Sequence, residues 1–159
     1  MNKNEVIAAL QLEPHIEGGF FRRTYTAAHQ ISKDSSPRAL MSSIYYMLTD
    51  DSPTGHLHCN RSDIMHYWHA GGALRYWLIT PDGELRNIVL GPDLAAGEQL
   101  QLLVPGGWWK ATELVRGEFG LLSEAVSPGF DFADMALARF ADIAAAFPQH
   151  AVALRKFCE

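Results

Sequence analysis

Apolar and polar positions alternate with a period of two through most of this chain, in short segments rich in aromatic and β-branched residues. FFRRTYTAAHQI, LMSSIYYMLT, GHLHCNRSDIMHYWHA, ALRYWLIT, ELRNIVLG, QLQLLVP, WWKATELV and FGLLSEAV are such segments, divided by Gly, Pro, Asp and Ser. They predict β-strands. Pro81-Asp82-Gly83 predicts a tight turn between two of them, because proline presets φ and glycine accepts a positive φ; Gly91-Pro92-Asp93 reads the same way. Strands at this spacing, with no long helices between them, predict an antiparallel sandwich or barrel rather than a parallel βαβ sheet. A helical period is confined to the two ends. Val6, Ile7 and Leu10 predict a short helix capped by Asn4 and ended before Pro14. In DFADMALARFADIAAAF, Phe132, Met135, Ala136, Phe140 and Ile143 share one face of a predicted C-terminal helix.

Length and composition narrow this picture. A chain of 159 residues fits one domain, with a β core over about 15–128 and a helical segment over about 131–157. Hydrophobic residues at 48% and charged residues at 19% exclude intrinsic disorder. Cys59 and Cys158 are too few for a disulfide scaffold or a four-cysteine zinc site. A net charge of -5 argues against a broad basic face, so no nucleic-acid partner is expected. No run reaches the ~18–20 apolar residues of a membrane span, so no membrane partner is expected. MNKNEVIAAL lacks the apolar core and small-residue cleavage site of a secretory signal, and the expected location is the cytoplasm.

The uneven feature is the placement of histidine and tryptophan. His56, His58, His66 and His69 fall within fourteen residues, and the four tryptophans, Trp68, Trp77, Trp108 and Trp109, all lie between residues 68 and 109. On a regular strand, His56 and His58 point to one face and can converge on one ion, with Asp63 beyond a turn as a third ligand. The same spacing also suits structural histidines bonded to backbone or water. In the next strand Ile64, His66 and Trp68 share one face, and Asp63, Met65, Tyr67 and His69 share the other. Whichever face turns inward carries an imidazole on an aromatic wall, a composition that suits a small-molecule pocket or an aromatic core. Trp108 and Lys110 share a face after the Pro105-Gly106-Gly107 turn; the lysine can hold an anion, act as a base if buried, or snorkel to solvent. In HIEGGFFRRTY, Gly18-Gly19 permits a bulge or a close backbone approach. Arg22, with Thr24 and Tyr25 nearby, can bind a carboxylate or phosphate, or pair with Glu17. No phosphate-cradling glycine loop, serine-hydrolase elbow or dinucleotide fingerprint is present.

The order HIEGGFFRRTY, SSIYYMLT, SDIMHYWHAGGAL, LLVPGGWWKATEL and GEFGLLSEAVSPGFDFADMALA, over roughly residues 5–142, resembles the small single-domain cupins known as cupin family five. The resemblance implies a double-stranded β-helix, the cupin jelly roll, with a short N-terminal helix and C-terminal helices. It further implies a homodimer and a ligand site in the barrel interior. Cupins in general bind a metal through two histidines spaced as His56 and His58, an acidic residue in the next strand and a further histidine. Asp63 stands near the acidic place, although the family's usual glutamate aligns with Ile64, and Lys110 stands where the last histidine falls. An ammonium repels a divalent cation.

Two chemistries and a bland alternative follow. The first is a metal-independent isomerase or epimerase on a polar or anionic, sugar- or nucleotide-related molecule. In it His58, Lys110 and His66 are catalytic, and His56, Trp68, Trp108, Arg22, Tyr25 and Glu17 contact the ligand. The second is a divalent-metal cupin, a dioxygenase or isomerase, using His56, His58 and Asp63. The third is a binding module without catalysis. No cofactor is required by the first or the third.

Overall fold

The computed structural model describes residues 1–159, the side chain of Lys33 excepted. Helix α1 (Lys3–Leu10) is capped by Asn2, two residues before the expected Asn4. The Asn2 side chain accepts the Glu5 N–H, and the Glu5 carboxylate accepts the Asn2 N–H, so two otherwise orphaned donors are satisfied together. Thirteen strands follow: β1 (Glu13–Pro14), β2 (Phe20–Thr26), β3 (Gln30–Lys33), β4 (Ser36–Ala39), β5 (Ser42–Thr49), β6 (Thr54–Asn60) and β7 (Asp63–Gly71) form the first half. The second half holds β8 (Leu74–Ile79), β9 (Leu85–Leu90), β10 (Gln101–Val104), β11 (Trp109–Leu114), β12 (Phe119–Ser127) and β13 (Met135–Leu137). The turn predicted at Pro81–Gly83 joins β8 to β9, with Gly83 at φ 84°.

The strands form a six-stranded sheet, β1-β2-β5-β12-β7-β10, and a five-stranded sheet, β13-β6-β11-β8-β9, with an outlying β3-β4 hairpin. All their ladders are antiparallel. The two sheets close over an apolar interior built from Tyr46, Leu48, Leu74, Tyr76, Leu78 and Leu122, among others. This is the mainly β, jelly-roll architecture that the resemblance implies.

The outer faces are covered by the two ends of the chain. Val6 of α1 packs with Leu12, Met47 and Leu121 on the six-stranded sheet. Leu154 and Phe157 pack with Leu57, Ile79, Ala111 and Ile143 on the five-stranded sheet. The C-terminal stretch differs from the single helix that its period predicts. It divides into a tight turn at Phe132–Asp134, strand β13, and short helices α2 (Phe140–Ala146) and α3 (Ala151–Leu154). The reason is an open sheet edge: β6 would leave a row of unpaired peptide groups there, and Met135–Leu137 pairs with Asn60, Cys59 and His58. Among the described residues, no helix is long and apolar enough to cross a membrane.

Candidate functional site

Two cross-strand pairs set up the site. On the five-stranded sheet Lys110 of β11 lies opposite His58 of β6; on the six-stranded sheet Glu124 of β12 lies opposite His66 of β7. Lys110 reaches across the interior. Its ammonium donates to His66 Nε2 at 2.8 Å and lies 3.5 Å from Glu124 Oε1, while Lys110 is only 3% exposed. His66 Nδ1 lies 3.2 Å from the Leu102 carbonyl, which can only accept, so Nδ1 carries the proton and Nε2 presents a lone pair to the lysine. Burial, with the Lys110 ammonium adding to it, pushes the His66 pKa down and keeps the ring neutral. Burial alone would raise the Glu124 carboxyl, but the Lys110 ammonium, joined by the His66 and His58 rings, holds Glu124 well below the usual carboxylate range.

Lys110, Glu124 and His58 border a cleft of about 750 Å³, open mouth included. Opposite Lys110 its wall comes from the loop between β1 and β2. Gly18 and Gly19 sit at φ 93° and 72°, and a Cβ on either would fall within 2.6 Å of a backbone carbonyl oxygen, of Thr54 and of Met47 respectively. Only glycine allows this approach. It tucks Glu17 inward, with its carbonyl accepting the His56 N–H at 2.6 Å and its N–H donating to His15 Nδ1 at 3.0 Å. The Tyr46 hydroxyl holds the loop from below by donating to the Gly18 carbonyl at 2.9 Å.

The Glu17 carboxylate oxygen lies 3.4 Å from His58 Nε2. His58 Nδ1 is 2.7 Å from the His56 carbonyl, so it carries the proton and leaves Nε2 free to accept. Burial raises the Glu17 carboxyl to about 7 against the pull of Lys110, and burial reinforced by Lys110 lowers His58 to about 3. Near neutral pH Glu17 is therefore only partly ionised, beside a His58 ring that stays neutral. His15, also lowered by burial, completes this wall as a neutral ring.

Of the residues singled out in the sequence, His58, Lys110 and Glu17 line the cleft, and His66 stands behind Lys110. His56 does not line it. The β6–β11 register shifts between Lys110 and Thr112, so His56 and Leu57 together oppose Ala111. That bulge breaks the alternation: Gly55, His58 and Asn60 face the cleft, and His56 is turned away from the His58 face. Asp63 is exposed and accepts the Gly106 N–H at 2.8 Å, fastening a turn away from the cleft.

The expected face Ile64, His66, Trp68 is the inward one. Trp68 nevertheless packs into the apolar interior and donates to the Gly72 carbonyl, outside the cleft. Trp108 packs on the same apolar cluster, with the Arg86 guanidinium 5.2 Å from its ring centre. Arg22 points to the outer face, where it donates to the Leu10 carbonyl at the end of α1. Its neighbour Arg23 lines the cleft instead, because Phe21 and Arg23 carry the inward parity of β2. Tyr25 follows a bulge in β2 and is exposed.

Glu124 and Asn60 belong to the site and were not singled out in the sequence. A glutamate in the otherwise apolar FGLLSEAV strand, two residues from Leu122 and from Val126, is the signal that would have found the first. The Asn60 Oδ1 is buried and finds no hydrogen-bond partner among the described residues. The donor set does not fit a metal. Among the described residues no three His, Cys, Asp or Glu side chains are grouped to hold an ion, and an ammonium borders the place where one would sit.

Comparison with known proteins places these observations. A family model described as Cupin superfamily (DUF985) matches residues 4–138. The "Uncharacterized protein YML079W" of Saccharomyces cerevisiae is 37% identical over 145 residues, which cover 82% of this chain and 72% of that one. The solved structure of protein SO0799 from Shewanella oneidensis is 38% identical, with a TM-score of 0.92 over 100% of this chain and 98% of that one. A hypothetical protein from Leishmania major is 29% identical, with a TM-score of 0.94 over 99% of each chain.

Proposed function

The chain belongs to the cupin superfamily, in the group described as DUF985, and from that premise we propose that its barrel binds a small polar or anionic molecule and moves a proton on it without a metal. The reaction is an isomerisation or epimerisation beside a carbonyl of a sugar- or nucleotide-related compound. One observation carries this reading: a carboxyl with a pKa of about 7 and a buried ammonium border the same cleft. An acid–base group works best when its pKa lies near the ambient pH, and Glu17 meets that condition at neutrality.

In this reading Glu17, as carboxylate, takes the proton from the carbon next to the carbonyl. The electron pair of that C–H bond moves into the carbon–carbon bond, and the carbonyl oxygen becomes an enolate oxygen. Lys110 donates to that oxygen as its charge grows, in a site where water is largely excluded. In an isomerisation the hydroxyl on the deprotonated carbon gives its proton by way of Lys110 to the enolate oxygen, and Glu17 returns its own proton to the former carbonyl carbon; in an epimerisation a water molecule protonates the opposite face of the same carbon, and Glu17 gives its proton to the hydroxide so formed. His58, 3.4 Å away, is the neutral neighbour against which the Glu17 carboxyl is positioned. His66 and Glu124 are positioning residues for Lys110, one accepting its proton donation and the other balancing its charge.

Glu17→Gln is the cleanest test, because it keeps the shape of the side chain and leaves the Lys110–Glu124 pair intact. Proton NMR in deuterated water, with a panel of aldose and ketose phosphates and nucleoside diphosphate sugars, reads deuterium entering a C–H position. The expected result is exchange catalysed by the natural protein and a loss of about 10²–10⁴-fold in Glu17→Gln, with affinity for the exchanging compound kept within a few-fold. Exchange that survives the substitution, or a compound bound in the cleft that exchanges no C–H proton, would overturn the proposal.

A further inference from the structure

The cleft has a charged inner end and an aromatic mouth, and the mouth carries a cation with no carboxylate partner among the described residues. Four formally charged side chains line the cleft: Glu17, Arg23, Lys110 and Glu124. Lys110 and Glu124 balance one another at 3.5 Å, and Glu17 faces His58. Arg23 has no carboxylate partner among the described residues; its guanidinium lies 5.8 Å from the centre of the Phe130 ring. Arginine's planar fork is suited to an oxyanion, and resting on an aromatic face leaves its N–H edge free to donate.

Beside it, Phe130 meets Phe132 edge to face, with ring centres 5.0 Å apart and planes at 80°. Phe132 also lines the cleft, yet it is 62% exposed. This lip is not a frayed end. The Phe130 N–H donates to Ser42 Oγ at 2.9 Å, and the Asp131 side chain accepts the Ala133 N–H at 2.8 Å. Asp134 is gripped by Arg38 through two bonds of 2.8 and 3.0 Å. The Asp131 carboxylate lies 4.0 Å from Arg38, which offsets its charge near the mouth. An apolar ring held out to solvent on an anchored turn, next to a guanidinium without an acid, is arranged for a ligand that offers both a flat face and an anion.

We propose that Arg23, Phe130 and Phe132 form a mouth subsite for an oxyanion joined to a planar ring, the ring stacking on Phe132 and the oxyanion bonding Arg23. The subsite rests on the reading of the cleft as a ligand site and adds the chemical class of the ligand's outer end. The reacting end of the same molecule then extends inward towards Glu17 and Lys110.

Phenyl phosphate, benzoate, inorganic phosphate and phenol serve as probes, titrated by calorimetry near neutral pH. Phenyl phosphate and benzoate each combine a ring with an oxyanion; the other two probes carry one half each. The ring-bearing anions are expected to bind at least ~10-fold more tightly than inorganic phosphate or phenol. Arg23→Gln should weaken the ring-bearing anions by roughly 10-fold and leave phenol unchanged. Phe132→Ala should bring phenyl phosphate to within about 3-fold of inorganic phosphate. Both side chains are exposed, and thermal melting of each variant verifies that it is folded. Unchanged affinity in Arg23→Gln, or phenyl phosphate no tighter than inorganic phosphate, overturns the subsite. The two proposals fail separately. Deuterium exchange lost in Glu17→Gln, with anion affinity indifferent to Arg23, removes the subsite alone. Anion affinity dependent on Arg23, with no exchange in the natural protein, removes the proton chemistry alone.

Discussion

The two ends of the barrel interior are built from the same strands and have opposite characters. β12 supplies Leu122 to the closed end and Glu124 to the open one; β5 supplies Leu48 to the first and Ser42 and Ile44 to the second, with Tyr46 at the boundary touching both. Two residues along a strand advance the chain by only about 7 Å. Within that distance the interior passes from fully buried leucine to a carboxylate 12% exposed beside an ammonium. The difference teaches how the site obtains its electrostatics. Packing at the closed end keeps water away from one side of the Lys110 cluster, and the glycine loop keeps it away from the other. Charges that would be screened in open solvent therefore act on each other and on a ligand more strongly than they would in water.

The comparison breaks first at its closed end. Leu122 is completely buried in the interior cluster, so Leu122→Ala should cost about 4 kcal/mol, the sum of lost transfer energy and a cavity. Urea unfolding measures it. A cost below about 1 kcal/mol would mean that the closed end collapses around the gap and is not close-packed.

Next comes the open end, where the sign reverses. Burial raises Glu17 to about 7 in the folded protein against an ordinary 4.5, so between these two pH values the folded chain holds a proton that the unfolded chain has released. Stability contributed by this group therefore falls as pH rises through that window and levels off above it. At 1.36 kcal/mol per unit the whole fall is about 3 kcal/mol. Glu17→Gln removes the ionisation, so it should match the natural protein near the bottom of the window and be the more stable of the two above its top. Urea unfolding of both proteins across this range is the measurement. Parallel pH profiles would show that Glu17 is solvated as an ordinary carboxylate, and the contrast between the two ends would lose its electrostatic half.

How much of this was legible in the sequence depends on which physical rule governs each residue. Alternation is local, so the strands and the shared face of Ile64, His66 and Trp68 could be read directly. The resemblance carried the jelly roll. Parity could not be read for β2, because Arg22 and Arg23 are both plausible inward residues until the ladder with β5 is fixed. His56 failed for a sharper reason: one extra residue in β6 opposite Ala111 flips the face, and nothing in GHLHCN marks that bulge. Glu124 pairs across the interior with a lysine fourteen residues earlier in a different sheet. The helix expected from Asp131 onward yielded to the unpaired edge of β6, a tertiary demand invisible to periodicity.

Asp63 supplies the smallest effect and separates the sequence pattern from the geometry. Its place after the histidine pair suggests a third metal ligand, yet its carboxylate accepts the Gly106 N–H at the turn before β11. Gly106 sits tightly there, since a Cβ would fall 2.3 Å from the Arg61 carbonyl oxygen, so the bond fastens a turn with little room to shift. A charge-assisted bond at an exposed turn contributes about 1 kcal/mol, and Asp63→Ala should lower stability by that amount in urea unfolding. It should leave phenyl phosphate affinity and deuterium exchange unchanged, because the side chain lies outside the cleft. A stability loss with intact binding assigns Asp63 to the turn. Loss of binding at unchanged stability would return it to the site and, with it, restore the case for a metal held against the charge of Lys110.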